Sequence, residues 1–416
     1  MKTTTPSLST IFLILFATFS WSRAASVDDQ VDRFLNCLKE EFDNYTSISG
    51  LVYTSTNSSY SSVLQYSVQN LRFVTESTPQ PLVIITPDHE SQIPPLIYCA
   101  KESHIQIRTR SGGHDFEGVS YVTEVPFVVV DFIKFDKVIV DAEQKTAWVE
   151  AGATLGTLYY RIAEKSPTLA FPAGFSIENR WVRTYSGPLG VVEVPVLKTL
   201  EEKATQIIHR WQYIAPNIDP RLFILVRVAR VNTDQDGAYI TMRAAFTALF
   251  LGGIDTLVPL VQESFPELGL VRENCTEISW LQSISYFQGF PINLPEMLLN
   301  RQQPYVGYFK GKADYVREPI PEYVFEGIWE LFKEPDAKDA DIVLIPYGGK
   351  MDEIPESAIP FPHRAGTLYK MLYATYWSNA NAQDADKILS WLRGLYNYTT
   401  PYVSKSPEKL TSIIEI

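Results

Sequence analysis

The apolar residues near the start of the chain recur with helical spacing. Val31, Phe34 and Leu38 stand three or four positions apart, and Ser26 precedes them as a residue that caps helices well. This spacing predicts one amphipathic helix that begins close to Ser26 and turns its apolar face towards a core.

Short apolar runs then alternate with helical stretches over the following residues. Runs of roughly four to eight apolar residues are typical of buried strands, whereas spacings of three and four are typical of helices. Strands that alternate with helices in this way indicate an α/β or an α+β domain. In chain order, the pattern predicts a strand at 81–86, a helix at 91–102, strands at 105–110 and 127–131, a hairpin over 137–150 and a helix at 154–164.

The regular pattern ends at Gly174. Residues 175–190 have no helical or strand period, so we interpret them as an irregular junction. Helical and strand periods return from residue 191 and continue to residue 350. That stretch predicts a second domain, in which an antiparallel sheet is combined with helices.

The first 24 residues have the features of a secretory signal. Lys2 gives a positive start, residues 11–17 are apolar, and Ser22 and Ala24 are small residues at the expected cleavage site. The apolar run is too short to cross a membrane. We therefore expect a protein without a membrane anchor that is secreted to the cell wall or apoplast, or delivered to the vacuole.

Sequons for N-glycosylation follow this signal. An N-x-Ser/Thr sequence becomes a glycosylation candidate when the chain enters the secretory pathway. The four expected glycosylation sites are Asn44, Asn57, Asn274 and Asn397.

The chain has three cysteines. Cys37 and Cys99 lie on two predicted helices, and an oxidising compartment allows them to form a disulfide; the alternative is that both are buried free thiols. Cys275 is then the odd cysteine. Because the sequence has no CxxC motif and no cluster of Cys and His, we expect no metal site.

The balance of charge limits the choice of partner. The 416 residues include 36 basic and 48 acidic side chains, which give a net charge of -12. An acidic surface repels nucleic acid and anionic membranes, so we expect neither as a partner. The length allows two domains, and because nothing in the sequence demands an oligomer, we expect a monomer.

A turn between two predicted strands, at residues 110–118, is the most informative motif. Gly112 and Gly113 are adjacent there, and His114 follows them. Glycines allow a sharp turn and a close approach to a ligand, and free N–H groups in such a turn can bind an anion such as a pyrophosphate. The motif therefore indicates a site for a phosphate-bearing ligand, at which His114 presents a ring nitrogen.

This loop is one of several motifs that occur together in a fixed order. Together they resemble the plant berberine bridge enzyme-like family, FAD-linked oxidoreductases of the vanillyl-alcohol oxidase type, and the resemblance covers nearly the whole chain after the signal. The other motifs are Val-Ile-Ile-Thr-Pro at 83–87, Val-Glu-Ala-Gly-Ala-Thr-Leu-Gly at 149–156, Phe-Pro-Ala-Gly at 171–174, Pro-Tyr-Gly-Gly-Lys-Met at 346–351, Ile-Pro-Phe-Pro-His-Arg-Ala-Gly at 359–366 and Tyr-Val-Ser-Lys at 402–405.

The resemblance implies an α+β fold with an FAD-binding domain of the PCMH type in two parts, at residues 25–174 and 351–416, and a substrate domain at 191–350. It implies that a small-molecule alcohol, sugar or alkaloid is oxidised by hydride transfer to FAD, with dioxygen as the acceptor. His114 matches the family histidine that is bonded covalently to the flavin. The residues that the resemblance assigns to FAD binding are Arg110, Ser111, Gly112, Gly113, His114, Asp115, Ser120 and Tyr121.

The chain departs from the family pattern around the junction. In the family, a cysteine follows Phe-Pro-Ala-Gly and often forms a second covalent bond to the flavin, but Phe175 stands at this position. A cysteinyl link is therefore impossible. The glycine-rich stretch that wraps the cofactor in the family is missing between Gly174 and Val194, so we expect an incomplete FAD-binding domain.

Further departures concern the catalytic groups. Residues 410–416 do not match the Asn-Tyr-Arg-Asp-like segment of the family, so we expect a truncated C-terminal segment. Residues 369–373 contain no Glu or Gln where many members have one, and Phe116 stands where a tyrosine is frequent. The catalytic base therefore stays unassigned.

Two other interpretations follow from the missing stretch. A relative that has lost FAD and activity, and persists as a secreted glycoprotein, would tolerate these losses. A splice variant or an erroneous gene model would explain why the pattern stops abruptly after Gly174.

Overall fold

The structure is a computed structural model that describes residues 26–42, 48–171, 185–186, 191–232, 240–287, 289–301, 306–358, 360–378 and 381–403. The predicted signal at 1–24, most of the junction at 175–190, the sequon at Asn44 and residues 404–416 lie outside the described residues. Three groups of helices and strands follow one another along the chain.

The first group is a four-stranded sheet between helices. Its elements are α1 (Val27–Glu41), β1 (Val52–Thr54), α2 (Tyr60–Gln65), β2 (Val83–Ile85), α3 (Ile93–Glu102), β3 (Gln106–Arg110) and β4 (Phe127–Asp131). The strand order is β1-β2-β4-β3; β4 runs parallel to β2 and β3, and β1 is antiparallel to β2. Because the parallel strands β2 and β4 are buried on both faces, their sequences are almost continuously apolar.

The helix α1 begins as the sequence predicts. The Ser26 hydroxyl accepts a hydrogen bond from the Asp29 N–H at 3.1 Å, and the Asp29 carboxylate accepts one from the Ser26 N–H at 3.2 Å, which is a capping box. Cys37 of α1 and Cys99 of α3 form a disulfide, with their Cα atoms 5.6 Å apart. The expected pairing is confirmed, and it cross-links the two helices that cover one face of the sheet.

The second group is small. It consists of β5 (Val138–Asp141), β6 (Thr146–Val149), α4 (Leu155–Lys165), β7 (Leu169–Ala170) and β8 (Tyr185–Ser186). These strands form two separate two-stranded antiparallel sheets, β5-β6 and β7-β8. The hairpin β5-β6 packs Val138 and Val149 towards α4, while Ile139 and Trp148, directly opposite each other on its outer face, are exposed.

The third group is a seven-stranded antiparallel sheet with helices. Its strand order is β12-β9-β11-β10-β14-β15-β13 and every pairing is antiparallel. The elements are β9 (Val191–Thr199), α5 (Ala204–Ile214), β10 (Leu222–Asn232), β11 (Ile240–Leu251), α6 (Ile254–Ser264), β12 (Thr276–Ile278), α7 (Trp280–Phe287), β13 (Tyr308–Val316), α8 (Glu322–Phe332), β14 (Ala340–Pro346), β15 (Tyr369–Trp377) and α9 (Ala382–Thr399). The predicted fold class is confirmed, since an α+β arrangement with a helix-backed antiparallel sheet is observed.

The two faces of this sheet differ. Alternate strand residues such as Val226, Phe246 and Tyr373 join α5, α6, α8 and α9 in the largest core. The residues between them point to the opposite side, because side chains alternate along a strand. We name this side the open face; it carries Arg227, Ala245, Val343, Leu372 and Ala313, which follow one another across neighbouring strands.

Among the residues that the structure describes, no helix is both long enough and apolar enough to cross a membrane.

Candidate functional site

Arg110 ends β3 and fixes the base of the glycine loop. Its side chain is fully buried, and its Nε and one terminal nitrogen donate to Asp131 Oδ2 at 3.1 and 2.6 Å. The guanidinium also donates to the carbonyl oxygens of Leu64 at 2.6 Å and Val63 at 2.7 Å. Because Asp131 ends the neighbouring strand β4, this ion pair holds the ends of two parallel strands and a helix together beneath the loop.

The loop turns sharply at Gly113. Its φ of +71° suits glycine, and a Cβ there would lie 2.8 Å from the carbonyl oxygen of Ser67. Ser111 Oγ donates to the Ala151 carbonyl oxygen at 2.6 Å and ties the turn to a second loop. Among the described residues, the backbone N–H groups of Gly112 and Gly113 have no acceptor. Neighbouring unpaired N–H groups on such a turn are suited to binding a phosphate or another anionic oxygen.

His114 follows directly and is half-buried. Burial lowers its pKa to about 4, although the negative charge of Asp115 acts in the opposite direction. The imidazole is therefore neutral at physiological pH and keeps a lone pair on one ring nitrogen. A neutral imidazole is a nucleophile, which is the form that a covalent bond to a cofactor requires.

The remaining predicted site residues shape the loop. The Asp115 carboxylate accepts hydrogen bonds from the Val119 N–H at 2.5 Å and the Ser120 N–H at 3.3 Å, and from the Ser120 hydroxyl. Tyr121 is buried in a core with α2 and β4, and its hydroxyl has no hydrogen-bond partner among the described residues. The eight predicted residues are thus brought together in one loop, with Gly112, Gly113 and His114 as the segment whose polar groups are suited to a ligand.

The loop is attached to the open face through Asn70, a contact that the sequence did not reveal. The buried Asn70 amide donates to the carbonyl oxygens of Phe116 at 3.1 Å and Phe309 at 3.0 Å. The Phe116 ring lies against Phe309, with centroids 5.1 Å apart, and a Cβ at Gly311 would come within 2.3 Å of the Phe116 ring. Phe116 is two residues from His114, so this packing places the histidine loop beside β13.

Further along the open face, residues of two distant sequence motifs form an aromatic cluster. The Tyr315 ring stacks on His363 with centroids 3.4 Å apart, and Tyr315 also meets Tyr347 and Phe361 edge-on. Burial raises the pKa of Tyr347, and burial lowers the pKa of His363. Stacking and burial indicate that His363 supports the sheet.

Lys370 lies opposite Tyr315 in the strand register, on the open face. Burial lowers the pKa of its amine. An amine with a lowered pKa is suited to accept a proton or to stabilise a nearby oxyanion. Sequence reasoning missed Lys370, and the signal that could have identified it is its place in the alternation of Tyr369, Lys370 and Met371, which puts it opposite the core side chains.

The glycosylation candidates occupy different environments. Asn57 and Asn397 are exposed, and Asn274 is half-buried next to the free Cys275. Within the described part of the chain, no group of three or more His, Cys, Asp or Glu side chains is placed to hold a metal ion.

The loop geometry defines a class of protein when it is combined with the matching sequence model. Residues 81–178, which include the loop, match the model of the FAD binding domain. The unpaired glycine N–H groups and the neutral imidazole fit a flavin nucleotide, because they offer donors to anionic oxygen and a nucleophile beside them. The chain therefore has an FAD-binding domain, and the redox chemistry of such a domain comes from its cofactor.

Known proteins narrow this class to one family. The chain is 39% identical to tetrahydroberberine oxidase from Berberis wilsoniae, over 94% of this chain and 87% of the relative. Among solved structures, it resembles berberine bridge enzyme-like 28 from Arabidopsis thaliana, with a TM-score of 0.80, 34% identity and coverage of 90% and 87% of the two chains. It also resembles Phl p 4, a grass pollen allergen with glucose dehydrogenase activity, with a TM-score of 0.80, 34% identity and coverage of 90% and 86%. The chain belongs to the berberine bridge enzyme-like family of FAD-binding oxidoreductases.

The same comparison measures what the chain lacks. The alignment with tetrahydroberberine oxidase spans 466 positions, whereas 94% of 416 residues is about 391, so about 75 positions of the relative have no counterpart here. This deficit agrees with the glycine-rich stretch that the sequence lacks after Gly174. We call the strands β1 to β4, which form one four-stranded sheet and carry the histidine loop, the complete half of this domain. We call the strands β5 to β8, which form only two-stranded sheets, the incomplete half.

Proposed function

We propose that the protein is a secreted, FAD-dependent oxidoreductase that oxidises a small alcohol, sugar or alkaloid and passes the electrons to dioxygen. The observation that carries the proposal is the neutral, half-buried imidazole of His114, which lies beside two glycine N–H groups that have no acceptor among the described residues. Phe116 packs this loop against β13, next to the open face. Loop and face together provide a cofactor site and a substrate surface in contact.

In this proposal, each part of the chain has one task. His114 anchors the flavin covalently, Gly112 and Gly113 donate hydrogen bonds to it, and no cysteinyl link assists because Phe175 replaces the cysteine. A bound flavin would supply the chemistry that accepts a hydride. Lys370 and the Tyr315–Tyr347 pair line the face against which the substrate is oriented. Holding the substrate in the reacting geometry accelerates the reaction.

The first test is the colour of the protein. The full chain, secreted from a plant or yeast host, is expected to be yellow, with flavin absorbance that stays with the protein after acid precipitation. The variant His114→Ala is expected to lose the acid-stable absorbance, while His209→Ala, at a half-buried position of α5, keeps it. A colourless wild-type protein, or acid-stable flavin in His114→Ala, contradicts the proposal. Peroxide formed during turnover in air tests the dioxygen step.

A second function is favoured by a different observation, the absence of about 75 aligned positions. We infer as the alternative that the protein is a secreted glycoprotein without flavin or activity, or a splice or gene-model product. Transcripts sequenced across the Gly174–Val194 junction distinguish these. Reads that consistently include a glycine-rich exon assign the present chain to an incomplete product, and reads that join the two sides directly leave the colour test to decide.

A further inference from the structure

Arg301 joins two turns that belong to different halves of the flavin domain. It lies two residues after a short helical turn at Pro295–Leu299, and its side chain is 22% exposed. Its Nη1 donates to the Ile133 carbonyl oxygen at 3.0 Å and to the Asp136 carboxylate at 3.2 Å, and its Nη2 donates to the Gly152 carbonyl oxygen. Ile133 follows β4 of the complete half, and Gly152 follows β6 of the incomplete half. One guanidinium therefore holds both halves.

The two turns, at residues 132–136 and 150–153, also pack against each other through their backbones. The Gly152 N–H donates to the Phe135 carbonyl oxygen at 2.7 Å, and a Cβ at Gly152 would lie 1.7 Å from the Phe132 carbonyl oxygen. Glycine permits this close approach. Because the donors of the Arg301 guanidinium lie in one rigid plane, its bonds across this contact fix the orientation of one turn relative to the other.

Both turns lead to the base of the histidine loop. From the first turn, the Ile133 N–H donates to Asp131 Oδ1 at 3.1 Å, and Asp131 Oδ2 accepts from Arg110. From the second turn, the Ala151 carbonyl oxygen accepts from Ser111 Oγ at 2.6 Å. The two routes thus start at one guanidinium and end at consecutive residues, directly before the glycine pair.

We propose that Arg301 is a positioning residue for the cofactor site. It acts through the two turns, which hold the histidine loop in one orientation relative to a bound flavin. The orientation towards the flavin rests on the proposed function, whereas the effect of Arg301 on the turns and the loop does not.

Hydrogen exchange of the purified full chain, followed by mass spectrometry, tests the effect on the turns and the loop. Arg301→Met removes three hydrogen bonds from a charged donor, so exchange is expected to be about tenfold faster or more in peptides that cover the two turns and the base of the loop. Arg301→Lys keeps the charge but donates from a single atom, so a smaller increase is expected.

Arg230→Met is the matched control for this measurement. Arg230 is a half-buried arginine on β10 that donates to the Glu334 carbonyl oxygen at 3.1 Å. Its replacement removes a similar bond in the seven-stranded sheet and is expected to leave exchange in the two turns and the loop unchanged.

The flavin-loaded protein tests the positioning. Arg301→Met is expected to lower the share of bound flavin that survives acid precipitation about tenfold, because a small misplacement of reacting groups slows a reaction strongly. A merely structural role would lower the unfolding temperature and the amount of bound flavin but not this share. Ser111→Ala breaks one of the two routes, so its effect on the share is expected to be non-additive with that of Arg301→Met.

The outcomes separate the role of Arg301 from the oxidation reaction. Faster exchange in Arg301→Met but not in Arg230→Met supports the proposal, even in a colourless protein that refutes the proposed oxidation. Equal exchange in the wild type and Arg301→Met overturns it, even if the protein is yellow and active. In a yellow protein, an unchanged acid-stable share in Arg301→Met overturns it as well. If Arg301→Met does not fold, the same two measurements on Arg301→Lys decide.

Discussion

The two halves of the flavin domain differ in how completely they are built. In the half that contains β1 to β4, the central strands are buried on both faces and a disulfide links the covering helices. In the half that contains β5 to β8, four strands form two isolated pairs, and Trp148 and Ile139 remain 66% and 50% exposed. Two-stranded sheets are marginally stable on their own.

This difference indicates which part of the domain holds the histidine loop in its conformation. The loop at residues 110–121 depends on β3, β4 and α2, all of which belong to the complete half. The base of the loop is therefore held by the complete half, while Ser111 also ties the turn to Ala151, which follows β6. Retention of a flavin depends on both halves, because a large ligand is enclosed by surfaces from more than one direction.

The largest expected effect is in the complete half. Arg110→Met leaves Asp131 buried without its partner, and breaking a buried pair in this way costs about 3–5 kcal/mol of unfolding free energy. Urea denaturation measures the loss. The control is Arg161→Met on α4, which removes an exposed pair with Glu164 and is expected to leave the unfolding free energy nearly unchanged. Equal losses for the two variants would remove the contrast between the halves.

Removal of the disulfide is expected to have the next largest effect. The double variant Cys37→Ala, Cys99→Ala loses a cross-link between residues 62 positions apart, which typically costs about 2–5 kcal/mol. Cys275→Ala, which removes a free thiol, is expected to change stability by about 1 kcal/mol or less. Thermal unfolding is measured with and without reductant. A wild-type unfolding temperature that the reductant does not change contradicts the prediction.

The pH dependence of the stability of the flavin-free protein tests whether the complete half buries His114. Burial lowers the pKa of His114 in the folded protein to about 4, whereas its pKa in the unfolded chain is the ordinary value of about 6.5. Between these two pH values, the unfolded chain binds the proton more readily than the folded protein does. The stability is thus full above pH 6.5 and falls as the pH decreases towards 4, by about 2–3 kcal/mol. His114→Gln is expected to lose this part of the fall. An identical decline in the variant would show that other groups cause it.

The smallest effect on stability is expected in the incomplete half. Trp148→Thr replaces a side chain that is 66% exposed, so the unfolding free energy is expected to change by about 0.5 kcal/mol or less. Association at high concentration is expected to decrease, because an exposed apolar hairpin favours contacts between chains. Light scattering checks this expectation. A large loss of stability instead would mean that Trp148 is covered in solution.

Local patterns predicted the elements that depend on nearby residues. The apolar runs located β2 and β4, the cap at Ser26 located α1, and the glycine pair located the loop, because each of these signals acts over a few residues. The order of strands in the sheets is not contained in such patterns, since it depends on pairing between distant segments.

Site residues that act across long separations escaped sequence reasoning for the same reason. Asn70 contacts Phe309, 239 positions away, and Arg227 pairs with Asp341, 114 positions away. None of these four residues belongs to a motif that could be recognised in the sequence. Only the folded arrangement brings Arg227 to Asp341 or places Lys370 on the open face.

The contact between Phe116 and Gly311 has a consequence for natural variation. A Cβ at position 311 would lie 2.3 Å from the Phe116 ring, so the two positions share one volume although one lies in the histidine loop and the other on β13. A larger residue at 311 is compatible only with a smaller or displaced side chain at 116, and the two substitutions are expected to be non-additive. In related sequences, the residues at these two positions should therefore change together. Substitutions in the histidine loop are thus coupled to substitutions in β13 of the seven-stranded sheet.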